Sequence, residues 1–166
     1  LIVATTGILA TLNSRSSSGA SVAENMKAFN SAREALVGYA VSLPELNSDP
    51  LQIPGLLPCP DTNGDGFSNS PCGVDQRTQL GRFPWRTLGM PVIRDASGEC
   101  LWYAVSGNFK ESAAVYPSSD TSGLLHVVDE NLREVIGSNN DAAFAIVFSV
   151  GAAHSGQNRT VTAGDK

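Results

Sequence analysis

SVAENMKAFNSAREALVGYAVSLP, residues 21–44, is the stretch on which the fold turns. Apolar side chains recur at Val22, Met26, Phe29, Leu36, Tyr39 and Leu43, with Ala32 bridging the stripe, while Glu24, Lys27, Asn30 and Glu34 occupy the other faces. That spacing follows the 3.6-residue period and predicts an amphipathic α-helix. Ser21, with Glu24 three residues on, has the form of a capping box, and Pro44 is expected to stop the helix. At ~1.5 Å per residue it is expected to run roughly 33 Å. Val22, Met26, Phe29, Leu36 and Tyr39 are expected to dock it on its own sheet or on neighbouring copies.

Upstream, LIVATTGILATL (1–12) is apolar, and no charge precedes Arg15. Twelve residues are too few to cross a bilayer, which takes about 20. The stretch reads as part of a longer hydrophobic segment, trimmed at its start. NSRSSSGAS (13–21) separates the two apolar runs. Serine competes for nearby backbone groups and glycine carries extra chain entropy, so the helix is expected to be weak, extended or interrupted there.

Downstream, residues 45–100 are turn-rich with little sustained periodicity. Strand signals then appear in CLWYAVSG (100–107), LLHVVDE (124–130) and AAFAIVFSVG (142–151), which are rich in aromatic and β-branched residues. The last is nearly all apolar, so both its faces are expected to be covered, one by the helix. SGQNRTVTAGDK (155–166) is expected to be irregular. The order gives an α+β fold: a long N-terminal α-helix packed on a small antiparallel β-sheet, with a long loop region between.

The 166 residues suffice for one domain with a real core. Only 16% are charged and the net charge is −5, which leaves no electrostatic footprint for nucleic acid. Low charge with 16 glycines reads as a secreted or surface protein that buries area against copies of itself. Three cysteines, Cys59, Cys72 and Cys100, form no CxxC or Cys/His cluster, so zinc, thioredoxin-type redox and covalent haem lack their ligand spacing. A pair in a loop-rich acidic chain favours one disulfide and an oxidising compartment. Cys59–Cys72 would close a short loop, worth about 3 kcal/mol in the chain-entropy account. Cys100 could pair with either.

Between those two cysteines, Asp61, Asn63, Asp65 and Gly66 match the first half of a calcium-binding loop, but Cys72 stands where a bidentate glutamate would close the shell. Two readings follow. Asp61, Asn63 and Asp65 hold calcium, or they form a polar turn in which Asp and Asn bond their own backbone. No other cofactor is indicated. His126 and His154 have no Ser or Asp placed with them for a hydrolytic triad, no phosphate loop is present, and no catalytic residue emerges.

AREALVGYA (32–40), LPCPDTNGDG (57–66), LGRFPWRTLGM (80–90), RDASGECLWYAVS (94–106) and AIVFSVGAAHSGQNR (145–159) follow one another in order and with sensible spacing. This ordered set resembles bacterial type IV pilin-like proteins, and more narrowly prepilin-type minor pilins and pseudopilins. LIVATTGILATL is similar to the pilin hydrophobic helix. The resemblance implies a non-enzymatic structural subunit whose leader is cut and whose N-terminus is methylated. Its apolar helix would sit in the inner membrane and then pack with copies, or with other pilins, in the core of a helical filament at the cell surface. Residues 1–20 would form that core, 21–159 an outward globular domain with the second half of the helix, and 160–166 a tail. Leu1, Ile2, Val3, Ile8, Leu9 and Leu12 would make the assembly contacts, and 13–21 is where the helix would melt on assembly. Secretion-type pseudopilins often bind one calcium in a loop, which strengthens the first reading of 57–72, but the stretch is expected first of all to be a rigid surface turn clipped by Cys59–Cys72, with metal binding an addition to that. The glutamate usual a few residues after the pilin cleavage point has no counterpart before Glu24, so Leu1 is expected to lie downstream of that position. The alternatives are a minor tip pilin acting as adhesin or initiator, and a monomeric calcium-binding secreted module with residues 1–12 folded into its own core.

Overall fold

A computed structural model describes residues 3–46, 53–73, 75–113, 117–137, 141–157 and 159, with side chains throughout except at 3–18 and 46. One helix, α1 (Val3–Leu46), is followed by strands β1 (Gln79–Arg82), β2 (Trp102–Val105), β3 (Val127–Val128), β4 (Glu134–Ile136) and β5 (Ala145–Phe148). The arrangement is the expected α+β fold, with a long N-terminal helix on a small antiparallel sheet.

The helix departs from expectation at two places. It runs uninterrupted through NSRSSSGAS, so Ser21 and Glu24 do not cap a new start. Each serine costs only a few tenths of a kcal/mol in a helix and Gly19 about 1. Breaking the ladder would orphan four carbonyls and four N–H groups and require a second nucleation, which is dearer. The helix also continues past Pro44 to Leu46. Pro44 cannot donate to the carbonyl of Ala40, and that carbonyl instead accepts the N–H of Gly55 at 2.9 Å. The proline thus frees the acceptor that ties the returning chain to the helix.

In the main sheet the order is β1-β2-β5, antiparallel at both seams. Tyr103 lies opposite Gly81 and Val147, and Val105 opposite Gln79 and Ala145. Tyr103, Val105 and Leu101 join Ala28, Ala32, Leu36, Leu57 and Phe83 in the core, with Ala145 and Val147 packed against it. Phe83 meets Tyr103 edge-on with centroids 6.1 Å apart. On the opposite face Trp102 lies against Phe148 at 6.5 Å.

Two strands escaped the sequence reading. QLGR (79–82) has no alternation to mark it; Gly81 is there because a Cβ would come within 2.6 Å of the Asp61 carbonyl. β4 pairs with β3 in a separate two-stranded sheet, so LLHVVDE does not join the main one. β5, expected to be covered on both faces, is an edge strand and half-buried along its length, because that hairpin packs beside it only through the Leu125–Ala143 bridge. The supposed surface turn is also partly core: residues 56–61, LLPCPD, are all buried. Pro58 and Pro60 bring no N–H to satisfy, and Leu57 pairs its backbone with Phe109 and Glu111 at 2.7 Å each.

Ala32 is fully buried where α1 meets the sheet. Ala32→Leu is expected to destabilise the protein by about 1–3 kcal/mol through overpacking, read as a lower denaturant midpoint with an unchanged slope.

Candidate functional site

The disulfide joins Cys59 to Cys72, and Cys100 is a buried thiol outside it. Within the loop it closes, Asp61 is 2% exposed. Its Oδ1 accepts the N–H of Asn63 at 3.1 Å and of Gly64 at 2.7 Å, and its Oδ2 accepts the N–H of Gly66 at 2.7 Å. Asn63 and Asp65 bond each other, Asn63 Nδ2 donating to Asp65 Oδ2 at 3.0 Å, and Asp65 also accepts from Phe67 N–H at 2.8 Å. Gly66 has φ +84° and lies so close to Trp85 that a Cβ would sit 2.5 Å from the ring. The polar-turn reading therefore describes this loop. Both oxygens of Asp61 are committed to loop N–H groups, the closing position is a disulfide sulfur, and no cluster of three acidic, Cys or His side chains occurs among the described residues.

The residue that binds this loop to the rest was missed from sequence. Glu111 accepts the phenol of Tyr39 at 2.7 Å through Oε2, and the N–H of Cys59 at 3.1 Å and the hydroxyl of Ser68 at 2.7 Å through Oε1. It joins helix, disulfide and loop in one carboxylate. Its neighbour Lys110 is fully buried and donates to Cys72 O, Asp75 Oδ1 and Arg77 O, all at 3.3 Å. The NFKES context carries no motif; only the tertiary placement gives these two charges their meaning. Tyr39 titrates well above the usual phenol range, because burial and then the Glu111 carboxylate oppose its ionisation. Tyr103 is raised chiefly by burial.

A third centre, Asp95, accepts the N–H groups of Ser97 and Glu99 at 2.9 Å each and the hydroxyl of Ser149. Burial opposes its charge, yet the Ser149 hydroxyl and the backbone donors outweigh it and hold the carboxyl below its usual range. His126 Nδ1 meets Glu134 Oε1 at 2.5 Å on an exposed hairpin, and His154 is exposed in a loop.

Of the expected docking residues, Leu36 is buried and Phe29 and Tyr39 are half-buried, whereas Val22 and Met26 are 62% and 52% exposed. The docked face is instead Ala28, Ala32, Leu36 and Leu43. Val22 and Met26 miss it because they sit roughly 80° and 120° around the helix from Ala32 at 100° per residue. Val37 and Val41 continue their exposed flank. Beside it α1 and β5 border a groove of about 600 Å³, whose only polar side chains among the described residues are Asn30 and Arg33. Leu1 and Ile2 lie outside the described residues; Val3, Ile8, Leu9 and Leu12 fall on the first turns of α1, and their side chains lie outside the description.

No protein-family model, curated protein or solved structure matches the chain. Among the described residues no helix is long and apolar enough to cross a membrane.

Asp61→Ala, which strips the acceptor from three loop N–H groups, is expected to cost roughly 3–5 kcal/mol, and exposed Asp65→Ala about 1 or less. Thermal melts of the wild type in millimolar calcium and in EDTA are expected to superimpose; a higher midpoint in calcium would mean the loop takes metal.

For Tyr39 and Tyr103 the folded phenols titrate above their unfolded value of about 10. Their contribution to stability is therefore full below about pH 10 and is lost as pH rises through the folded values. Urea midpoints are expected to fall on the alkaline side, less steeply in Tyr39→Phe, which itself costs about 1 kcal/mol at neutral pH.

Proposed function

We propose that this chain is a structural subunit of a type IV pilus-like filament or secretion pseudopilus, held in the assembly by its N-terminal helix. One observation carries the reading: α1 is far longer than anything the domain can bury. Its 44 residues span roughly 66 Å at 1.5 Å per residue. The remaining ~120 residues make a body only about 35 Å across. Among the described side chains, α1 meets that body at Asn25, whose Oδ1 accepts the Ala96 N–H, and then at buried Ala28, and about 33 Å of helix precede Asn25. That leading part contains the apolar run 3–12, which in water would be an aggregation liability and among like helices is covered on all sides. Assembly at the cell surface, after residence of the helix in the inner membrane, follows from this reading, and so does a role without catalysis.

In electron micrographs of material shed from producing cells, the wild type is expected in regular fibres. Ile8→Glu is expected to abolish them while the near-UV signals of Trp85 and Trp102 stay native. Deleting residues 1–18 is expected to leave a cooperative melt. Loss of that melt would favour a monomeric module that keeps its first residues in its own core.

A further inference from the structure

The groove between α1 and β5 is lined by Phe29, Leu36 and Val37 on one side and by Phe109, Phe144 and Val147 on the other. Arg33 is its one charged group, is exposed, and makes no hydrogen bond or ion pair among the described residues. An open apolar trough with one unspent guanidinium calls for an occupant that is apolar and carries a carboxylate.

Such a group is displayed elsewhere on the same chain. The β3–β4 hairpin turns through DENLRE (129–134), where Asp129 accepts the N–H groups of Asn131 and Arg133 at 2.8 and 2.9 Å. At its tip Leu132 is 82% exposed and is the sole non-glycine residue with positive φ, 61°, among the described residues. The left-handed conformation there closes the hairpin turn, Leu132 N–H bonding Asp129 O at 3.0 Å and Asp129 N–H bonding Arg133 O at 2.9 Å, and it projects the leucine from the tip. Val128 and Val135 are exposed beside it. Glu130, two residues earlier, is exposed and, among the described residues, has no hydrogen-bond or ion-pair partner.

We infer that the hairpin tip of one copy seats in the α1–β5 groove of the next, Leu132 entering between Val37 and Phe144 and Glu130 meeting Arg33. Knob and trough are different surfaces of one chain, so the contact is heterologous and repeats from copy to copy without self-closing by necessity. The charge pair fixes register and the buried leucine supplies apolar contact. The inference rests on the filament reading for its repeating geometry, but the contact lies in the globular domain and not in the apolar helix.

Oxidative cross-linking of the full chain in producing cells tests it. Val37→Cys combined with Leu132→Cys is expected to give a ladder of dimers, trimers and higher species on non-reducing gels. Either change alone is expected to give none, and co-expression of the two single variants only dimers. Adding Arg33→Glu to the double variant is expected to reduce the ladder several-fold, and further Glu130→Arg to restore it; restoration also shows that the charge-reversed chain still folds. Fibres without a ladder, a ladder that stops at dimers, or a ladder indifferent to the charge swap would overturn the contact and leave the filament reading standing. A charge-sensitive ladder in cells that shed no fibres would uphold the contact and remove the filament reading.

Discussion

Close approach of α1 to the sheet is the constraint from which the architecture follows. Ala28 and Ala32 present only methyl groups where Leu36 and Leu43 fill the space on either side, so the helix settles within reach of Tyr103 and Val105. Such a seam is short. Its buried positions are four over sixteen residues of a 44-residue helix, with Asn25, Phe29, Tyr39 and Ala40 adding partly buried contacts around them. A larger docking residue at 28 or 32 would lift the helix away and expose the same sheet face that its own burial of apolar area stabilises.

Since only seventeen of the described residues lie in regular strands, polar fasteners carry much of the domain's definition. Asp61, Asp95, Lys110 and Glu111 each gather three or more backbone or side-chain partners. A buried charge without such partners would cost several kcal/mol, and with them it fixes one loop conformation. Glu111 matters most, because it spans three parts of the chain that are remote in sequence. The disulfide acts on the same loop from the other side, by restricting the unfolded chain by about 3 kcal/mol.

The amphipathic period, the aromatic and β-branched run at 100–107 and the Cys59–Cys72 spacing made the helix, the central strand and the disulfide legible from sequence. What could not be read depended on partners distant in the chain. QLGR looks like loop until Asp61 and Tyr103 flank it, and nothing near Lys110 or Glu111 distinguishes them from solvated charges. Which side of the helix stripe docks on the sheet was illegible for a related reason. Periodicity ranks faces by hydrophobicity, and Val22, Met26, Val37 and Val41 are more hydrophobic than the two alanines that dock. Small side chains at an interface are chosen for distance, which no hydropathy scale records.

That division of the stripe bears on assembly. A helix with a small-residue face turned inward and a larger apolar flank turned outward has its greater unsatisfied area on the side away from its own core. The same flank borders the α1–β5 groove, and the groove ends at Phe144, next to the bridge from which the hairpin leaves the sheet. Much of the exposed apolar surface lies on helix, groove and hairpin, with Phe67, Leu80 and Val92 elsewhere, while Asp61 and Glu111 bond within the disulfide loop and its surroundings. A monomer gains nothing from that partition, whereas a subunit that meets others along its helix and through its head uses both regions. An apolar core and polar fasteners that account for the domain's own shape, beside apolar surface they leave over, are the physical basis of the filament proposal.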